Sequence, residues 1–307
     1  MPDIEAFLRQ HFHPDSRLGD FLGGGVFSQA YAFDTPAGAF VIRIGENAEN
    51  FRKDKLAYHL FTAPDLPIPR VFETGQIEGR QYAVSKRMPG QRLSEQGAEA
   101  AQSTLPSLLR TADALRLVKL PSTTGFGILD GTGKARHAYR HWRDYVLGVH
   151  DWPATFTARA GETYRNWDAL FAETFLEKPV FEEVFAKMRD LSRHCPNEKH
   201  LVHGDFGYDN VLSENGQITA VLDWAEMRCG DFLYDIAYLD YYDTPLDYTE
   251  AFGEHYASKK LSVPHFAERI QCYKLHIFLG NVFLEANRNQ RDWYEEDLAR
   301  LPRLLNG

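Results

Sequence analysis

Residues 201–224 read LVHGDFGYDNVLSENGQITAVLDW, and this stretch decides the fold. Apolar Leu201 and Val202 lead into a polar loop, His203-Gly204-Asp205-Phe206-Gly207-Tyr208-Asp209-Asn210. A short apolar strand, Val211-Leu212, follows. Glu214-Asn215-Gly216-Gln217 then predicts a hairpin, because Asn-Gly tolerates the positive φ of a tight turn. The return strand, residues 218–222, ends at Asp223 and brings it back beside the loop. Asp205, Asn210 and Asp223 are therefore expected to converge on one small volume.

That spacing suits phosphoryl transfer, where the protein must position an acceptor hydroxyl and hold Mg²⁺ against the phosphates. An Asp can orient the hydroxyl and accept its proton. An Asn five residues later and a second Asp can ligate Mg²⁺, a hard ion that prefers oxygen. Asp205, Asn210 and Asp223 fit those roles in order. The kinase loop H-R-D-x-x-x-x-N has the same Asp-to-Asn spacing, with Gly204 here in place of the Arg and Trp224 in place of the Phe of D-F-G. His, Asp and Asn also cap helices and close turns, and His203 reads as a structural hydrogen-bonding residue. It is not read as a metal ligand, since no Cys/His cluster accompanies it.

HGDFGYDNVL, followed by VLDW and GDFLYDIA, resembles the aminoglycoside phosphotransferase family, its hygromycin B-modifying members most of all. The likeness continues through LPIPRVFETG, TTGFG, HWRDYV, NGQITAVLDWAE and Trp293, covering nearly the whole chain. It implies an α+β, bilobal, protein-kinase-like fold: a small β-rich nucleotide lobe over residues 1–88 and a large helical catalytic and substrate lobe over residues 89–307. It also implies ATP as phosphoryl donor, with GTP as an alternative, together with Mg²⁺ and a cationic aminoglycoside or aminocyclitol acceptor.

Composition is ordinary for a globular protein: 307 residues, 44% hydrophobic and 25% charged. The net charge of −9 argues against general nucleic-acid binding. Cys195, Cys229 and Cys272 are few and far apart, which suggests neither a disulfide framework nor a zinc site. The start, Met1-Pro2-Asp3-Ile4-Glu5, is not a secretory signal, and no apolar run is long enough to span a membrane. A monomeric cytoplasmic protein is the expectation.

Along the chain, residues 4–12 predict an amphipathic helix and residues 18–22 and 26–33 two strands. Between them, Gly23-Gly24-Gly25-Val26-Phe27-Ser28 could let backbone N–H groups approach phosphates, although a plain flexible hairpin would look the same. Gly24, Gly25 and Ser28 are the phosphate candidates. The next strand, residues 39–44, carries Arg43 where the family usually has a phosphate-binding Lys. Its acidic partner falls nearest to Asp54 on a helix over residues 49–61, where flanking Lys53 and Lys55 read as an exposed charged face. Strands over 71–74 and 80–85 lead to a hinge, Ser85-Lys86-Arg87-Met88-Pro89-Gly90. The resemblance sets adenine against backbone groups near Ser85 and Arg87.

Helices are then predicted over 105–117, 139–149, 166–176, 181–194 and 271–287. Asp231 and Asp235 read as scaffold at a helix start. Asp209, Asp240, Asp243 and Glu285 are candidate carboxylates for substrate ammonium groups. Two other functions share parts of the pattern: a kinase of another small molecule, and a non-catalytic nucleotide-binding sensor.

Overall fold

A computed structural model of the chain describes residues 3–24, 28–122, 124–155 and 163–306. Gly25, Val26 and Phe27 of the glycine stretch, and Thr123 of TTGFG, lie outside the described residues.

The N-terminal part is an antiparallel sheet in the order β1-β2-β3-β5-β4. Its strands are β1 (Arg17–Gly24), β2 (Ser28–Thr35), β3 (Gly38–Gly45), β4 (Val71–Ile77) and β5 (Arg80–Lys86). Helix α1 (Ile4–His11) is started by Asp3, whose Oδ1 accepts the Ala6 N–H at 2.9 Å. Its buried Ile4 and Leu8 pack on Phe33, Ile42, Ile44 and Val84 of the sheet. Helix α2 (Ala48–Phe61) is capped by Asn47, which accepts the Glu49 N–H at 2.9 Å.

A Gly90 turn at φ 97° leads out of this sheet. A Cβ there would lie 2.5 Å from the Ser213 carbonyl oxygen, so only glycine fits the crossing. Strand β6 (Gln91–Arg92) then pairs with the 211–221 hairpin in a sheet ordered β10-β9-β6, where β9 is Val211–Glu214 and β10 is Gln217–Val221. The hairpin turn has Asn215 at φ 51° and Gly216 at φ 72°, the positive-φ pair that Asn-Gly predicts. A third sheet joins β7 (Gly127–Ile128), β8 (His200–Val202) and β11 (Arg228–Gly230), with β11 in the middle.

The remaining mass is helical: α3 (Ala98–Leu117), α4 (Trp142–Leu147), α5 (Trp152–Thr155), α6 (Trp167–Glu173), α7 (Lys178–Leu191), α8 (Leu233–Leu239), α9 (Tyr248–Ser258), α10 (Phe266–Arg288) and α11 (Arg291–Asn306). They surround the central α10, which carries buried apolar side chains on most of its circumference, as expected for a helix enclosed by others. The architecture is a bilobal, kinase-like α+β fold. No helix among the described residues is long and apolar enough to cross a membrane.

Several helices differ in extent from the sequence reading: α10 begins at Phe266, not residue 271, α7 runs Lys178–Leu191, not 181–194, and α6 ends at Glu173, not residue 176. Helix α3 begins at Ala98, not residue 105, because its first turns pack small alanines that leave little apolar signal. Helix α4 begins at Trp142, not residue 139. The Tyr139 backbone is already committed to Phe126 by a reciprocal hydrogen-bonded pair at 3.0 and 3.1 Å.

Candidate active site

The loop of residues 203–210 is held by Asp235 of α8, whose two carboxylate oxygens accept the His203 and Gly204 N–H groups, each at 2.8 Å. Asp231 is fully buried and takes Arg269 of α10 at 2.7 Å and the Tyr273 hydroxyl at 2.5 Å. Both acids are therefore scaffold. Gly204 has φ 85°, and a Cβ there would lie 2.4 Å from the Glu226 carbonyl oxygen and 2.6 Å from the Arg228 guanidinium. The Arg of the kinase loop pattern cannot stand at this position. A guanidinium reaches the same place from β11, where Arg228 binds the Tyr145 hydroxyl at 2.8 Å and Glu226 at 3.2 Å.

His203 is fully buried. Its Nδ1 accepts the Asp205 N–H at 3.2 Å, which leaves the proton on Nε2 to bond the Leu222 carbonyl at 2.9 Å. Burial lowers its pKa to about 4, so it stays neutral and braces the loop against the return strand.

Asp205 Oδ2 accepts the Asn210 side-chain amide at 2.8 Å, and the same amide reaches the Asp205 carbonyl at 3.0 Å. With its nitrogen turned to Asp205, Asn210 keeps its amide oxygen for another partner. The Asn210 carbonyl takes the Leu222 N–H at 2.7 Å, tying the loop to the end of β10. Asp223 follows in the left-handed region at φ 56°, ψ 80°, a costly backbone for a non-glycine residue that clusters at functional sites. Its Oδ1 accepts the Ala225 N–H at 3.3 Å. Burial pushes Asp205 up to about 7, and the charges of Asp223 and Glu226 push the same way. Hydrogen bonds from Tyr238 and Asn210 pull against them.

A cavity of about 520 Å³ runs from this cluster to the N-terminal sheet. Gly24, Ser28, Arg43, Ser85 and Arg87 line it, and Asn210 and Asp223 lie at its other wall. Arg43 forms an ion pair with Asp54 of α2, and Asp54 is buried. Neighbouring Lys53 departs from the expected exposed face. It is fully buried, and its ammonium donates to the Ala225 carbonyl at 2.6 Å, because the turn after Asp223 packs directly on α2. Among the described residues, no group of three or more His, Cys, Asp or Glu side chains is arranged to hold a metal unaided.

A second cavity, also about 520 Å³, opens on the other side of Asp205. Asp209 lines both cavities, and the Ser94 hydroxyl donates to it at 2.6 Å. Glu285 lines the second cavity but Asp240 and Asp243 do not. Asp240 is the C-cap of α8, accepts the Tyr248 N–H at the start of α9 at 2.8 Å and pairs with Lys274 at 2.6 Å, while exposed Asp243 faces Arg300 and Arg303. The expectation that these two acids face an acceptor is corrected: one is a helix cap, the other a surface ion-pair partner.

The phosphotransferase enzyme family APH matches residues 20–269. The chain belongs to that family. It is 29% identical to Hygromycin-B 4-O-kinase of Escherichia coli over 94% of this chain and 82% of that protein. It is 28% identical to an aminoglycoside 3'-phosphotransferase of Streptomyces ribosidificus over 73% of this chain and 83% of that one. Among solved structures, it resembles a thermostable mutant of aminoglycoside phosphotransferase APH(4)-Ia, a ternary complex with ADP and hygromycin B. The TM-score is 0.83, with 26% identity over 99% of this chain and 98% of that one.

Several residues that line the second cavity escaped the sequence reading. Glu226 and buried Arg228 line the second cavity, and the Tyr238 hydroxyl hydrogen-bonds Asp205. Glu226 had a signal, three residues after Asp223 within VLDWAE. Arg228 and Tyr238 had none, because their roles depend on how β11 and α8 pack under the loop.

Proposed function

We propose that this chain transfers the γ-phosphoryl group of ATP to a hydroxyl of an aminoglycoside of the hygromycin B type, inactivating the antibiotic. The observation that carries this reading is the meeting of the two cavities at the catalytic loop. Asp205 faces the acceptor side, Asn210 and Asp223 the nucleotide side, and Asp209 borders both. A hydroxyl brought to Asp205 would be in position for in-line attack on a phosphate in the other cavity.

Asp205 orients the acceptor hydroxyl and takes its proton as the new O–P bond forms and the bond to ADP breaks. The free amide oxygen of Asn210 and the carboxylate of Asp223 fit a Mg²⁺ ion, with phosphate oxygens and water completing its shell. Such an ion would offset charge on the transferring phosphoryl group. Arg43, fixed by Asp54, supplies a permanent cation on the nucleotide side. Ser85 and Arg87 line the nucleotide cavity at the hinge, where a purine of ATP would sit with GTP as a second donor, although the Arg87 N–H is already given to the Ala39 carbonyl at 3.2 Å. We take residues 1–88 as the nucleotide lobe and residues 89–307 as the catalytic lobe of a monomeric cytoplasmic enzyme. The acidic rim formed by Asp209 and Glu226 favours a cationic acceptor.

The test is incubation with ATP, Mg²⁺ and a panel of aminoglycosides, followed by mapping of the phosphate. Transfer to a hygromycin B hydroxyl is the expected result. A folded protein that binds ATP and phosphorylates no aminoglycoside would overturn the reading.

A further inference from the structure

The far end of the acceptor cavity is bounded by α10 and α11, and two acids meet there. Glu285 is 5% exposed and Asp297 2%, and both line the cavity. While both acids are ionised, no hydrogen-bond donor reaches the buried Glu285 Oε2 and Asp297 Oδ2, a costly arrangement for two carboxylates. The nearby cation, Arg300, is already engaged: it binds Asp297 Oδ1 at 2.7 Å and faces Asp243 and Glu296 at 3.5 and 4.0 Å. Glu285 has no ion-pair partner of its own among the described residues. We propose that Glu285 and Asp297 form a subsite for one ammonium group of the acceptor, which displaces a proton the two carboxyls share in the empty enzyme. This rests on the aminoglycoside kinase reading above and extends it to a named part of the substrate.

The chemistry balances simply. Burial and the Asp297 charge beside it hold Glu285 well above the usual carboxylate range, and its carboxyl hydrogen-bonds Asp297. One acid is therefore neutral in the empty cavity. A substrate ammonium brings its own N–H donors and positive charge. It takes the place of the shared proton, which leaves to solvent, and the site changes from a neutral acid–carboxylate pair to two carboxylates around a cation. The other charged and titratable groups at this end of the cavity are Arg288 of α10, which lines it one turn beyond Glu285 without forming an ion pair to it, Glu296 and Arg300 of α11, the Tyr241 hydroxyl after α8, and Tyr294. Arg300 draws Glu285 down and Glu296 pushes it up. The Tyr241 hydroxyl lies near Asp297 and is neutral, its pKa raised by burial and by the Asp297 charge. None of them supplies Glu285 with a direct cation.

Because the pair is neutralised by a proton in the empty state and by an ammonium in the complex, proton and substrate compete. Acceptor affinity should rise as pH increases through the neutral range, until the substrate amines themselves lose protons. Asp205 also contributes to any such pH dependence, so the reading is the difference between wild type and variant. Glu285→Gln keeps the shape and can still donate to Asp297, so a pure α10–α11 staple would survive it.

The experiment is calorimetric titration of hygromycin B into the wild type and Glu285→Gln, in two buffers of different ionisation enthalpy, alongside steady-state kinetics. The wild type should release a proton on binding. Glu285→Gln should release less and show a KM for hygromycin B raised about tenfold or more, the scale of a lost charge-assisted bond, with kcat and the ATP KM little changed. Should Glu285→Gln fail to fold, Asp297→Asn is read in the same way. Wild-type protein titrated with hygromycin B acetylated at its amines gives a reading that needs no variant: weaker binding without proton release. Unchanged KM and proton release in a folded variant would overturn the subsite and leave the kinase assignment standing. So would equal binding and equal proton release with the acetylated ligand. A wild type that phosphorylates no aminoglycoside would overturn both.

Discussion

Asp54 Oδ1 accepts the backbone N–H of Trp224 at 2.8 Å while its other oxygen holds Arg43. One buried carboxylate thus links the cation on β3 to the turn that begins at Asp223. Lys53, one residue earlier, donates to the Ala225 carbonyl at 2.6 Å and ties α2 to the same turn a second time. The nucleotide-side cation and the Asp223 carboxylate are therefore positioned by one helix, and a shift of α2 would move both.

Asp54→Ala should then act on stability and on nucleotide use together. It removes one partner of a buried pair, a change that costs about 3 kcal/mol or more, and strips the Trp224 N–H of its acceptor. Urea denaturation should show that loss, and the KM for ATP should rise about tenfold or more while the acceptor KM stays within a few fold. A variant with altered acceptor KM and unaltered ATP KM would show that the Arg43–Asp54 pair does not serve the nucleotide.

Asp223→Asn separates charge from conformation. Asn tolerates the left-handed backbone that Asp223 adopts at φ 56°, so the turn should persist and stability should change by less than about 1 kcal/mol. The lost carboxylate charge should cost about 10²-fold or more in transfer rate, with partial recovery at high Mg²⁺ concentration. Near-normal turnover in the folded variant would remove Asp223 from the catalytic set.

The catalytic loop and hairpin were legible because their chemistry is local. Asn215-Gly216 fixes the turn, the turn fixes the register, and the register returns Asp223 to Asp205. The N-terminal sheet was legible from alternation and from Gly and Pro punctuation. What escaped depends on non-local packing. Lys53 read as exposed because nothing in sequence says that residues 224–226 cover α2. Asp240 and Asp243 read as substrate acids because charge alone does not distinguish a helix cap from a pocket wall. Asp297 carried no signal of its own in sequence, because only the packing of α11 on α10 brings it to the cavity that Glu285 lines.

Acid stability offers a test of the core. His203 and His276 are buried and neutral, and burial lowers their pKa to about 4 and about 3. An unfolded chain takes up a proton at each below about pH 6.5, which the folded chain refuses. Their contribution to stability is therefore complete above that pH and is lost as pH falls towards the folded values, by about 1.4 kcal/mol per pH unit for each histidine. Buried Asp205 and Asp235, raised to about 7 and about 6, pull the opposite way, so a difference must be read. His276→Asn keeps an acceptor for the Tyr234 hydroxyl, which meets Nδ1 at 3.0 Å, and removes the proton site. Between about pH 6 and pH 5 the variant should lose about 1 kcal/mol less stability than the wild type. Parallel curves would show that His276 is protonated in the folded state.

Asp205→Asn addresses the reaction itself. The substitution keeps size and an oxygen to accept the Asn210 amide, so the loop geometry should survive. It removes the negative charge and most of the capacity to take a proton. If Asp205 orients and deprotonates the acceptor hydroxyl, kcat should fall about 10²-fold or more, the usual scale for loss of a general base. The loose transition state of phosphoryl transfer makes early deprotonation less important, so much of that fall would reflect a misplaced hydroxyl. ATP binding should change little, because Asn210 and Asp223 remain on the nucleotide side. Acceptor affinity should drop modestly, since a cationic substrate loses one of the negative charges lining its cavity. Single-turnover transfer and direct ATP binding, measured on the same preparation, separate the cases. Retained chemistry with lost ATP binding would move Asp205 from the acceptor side of the loop to the nucleotide side.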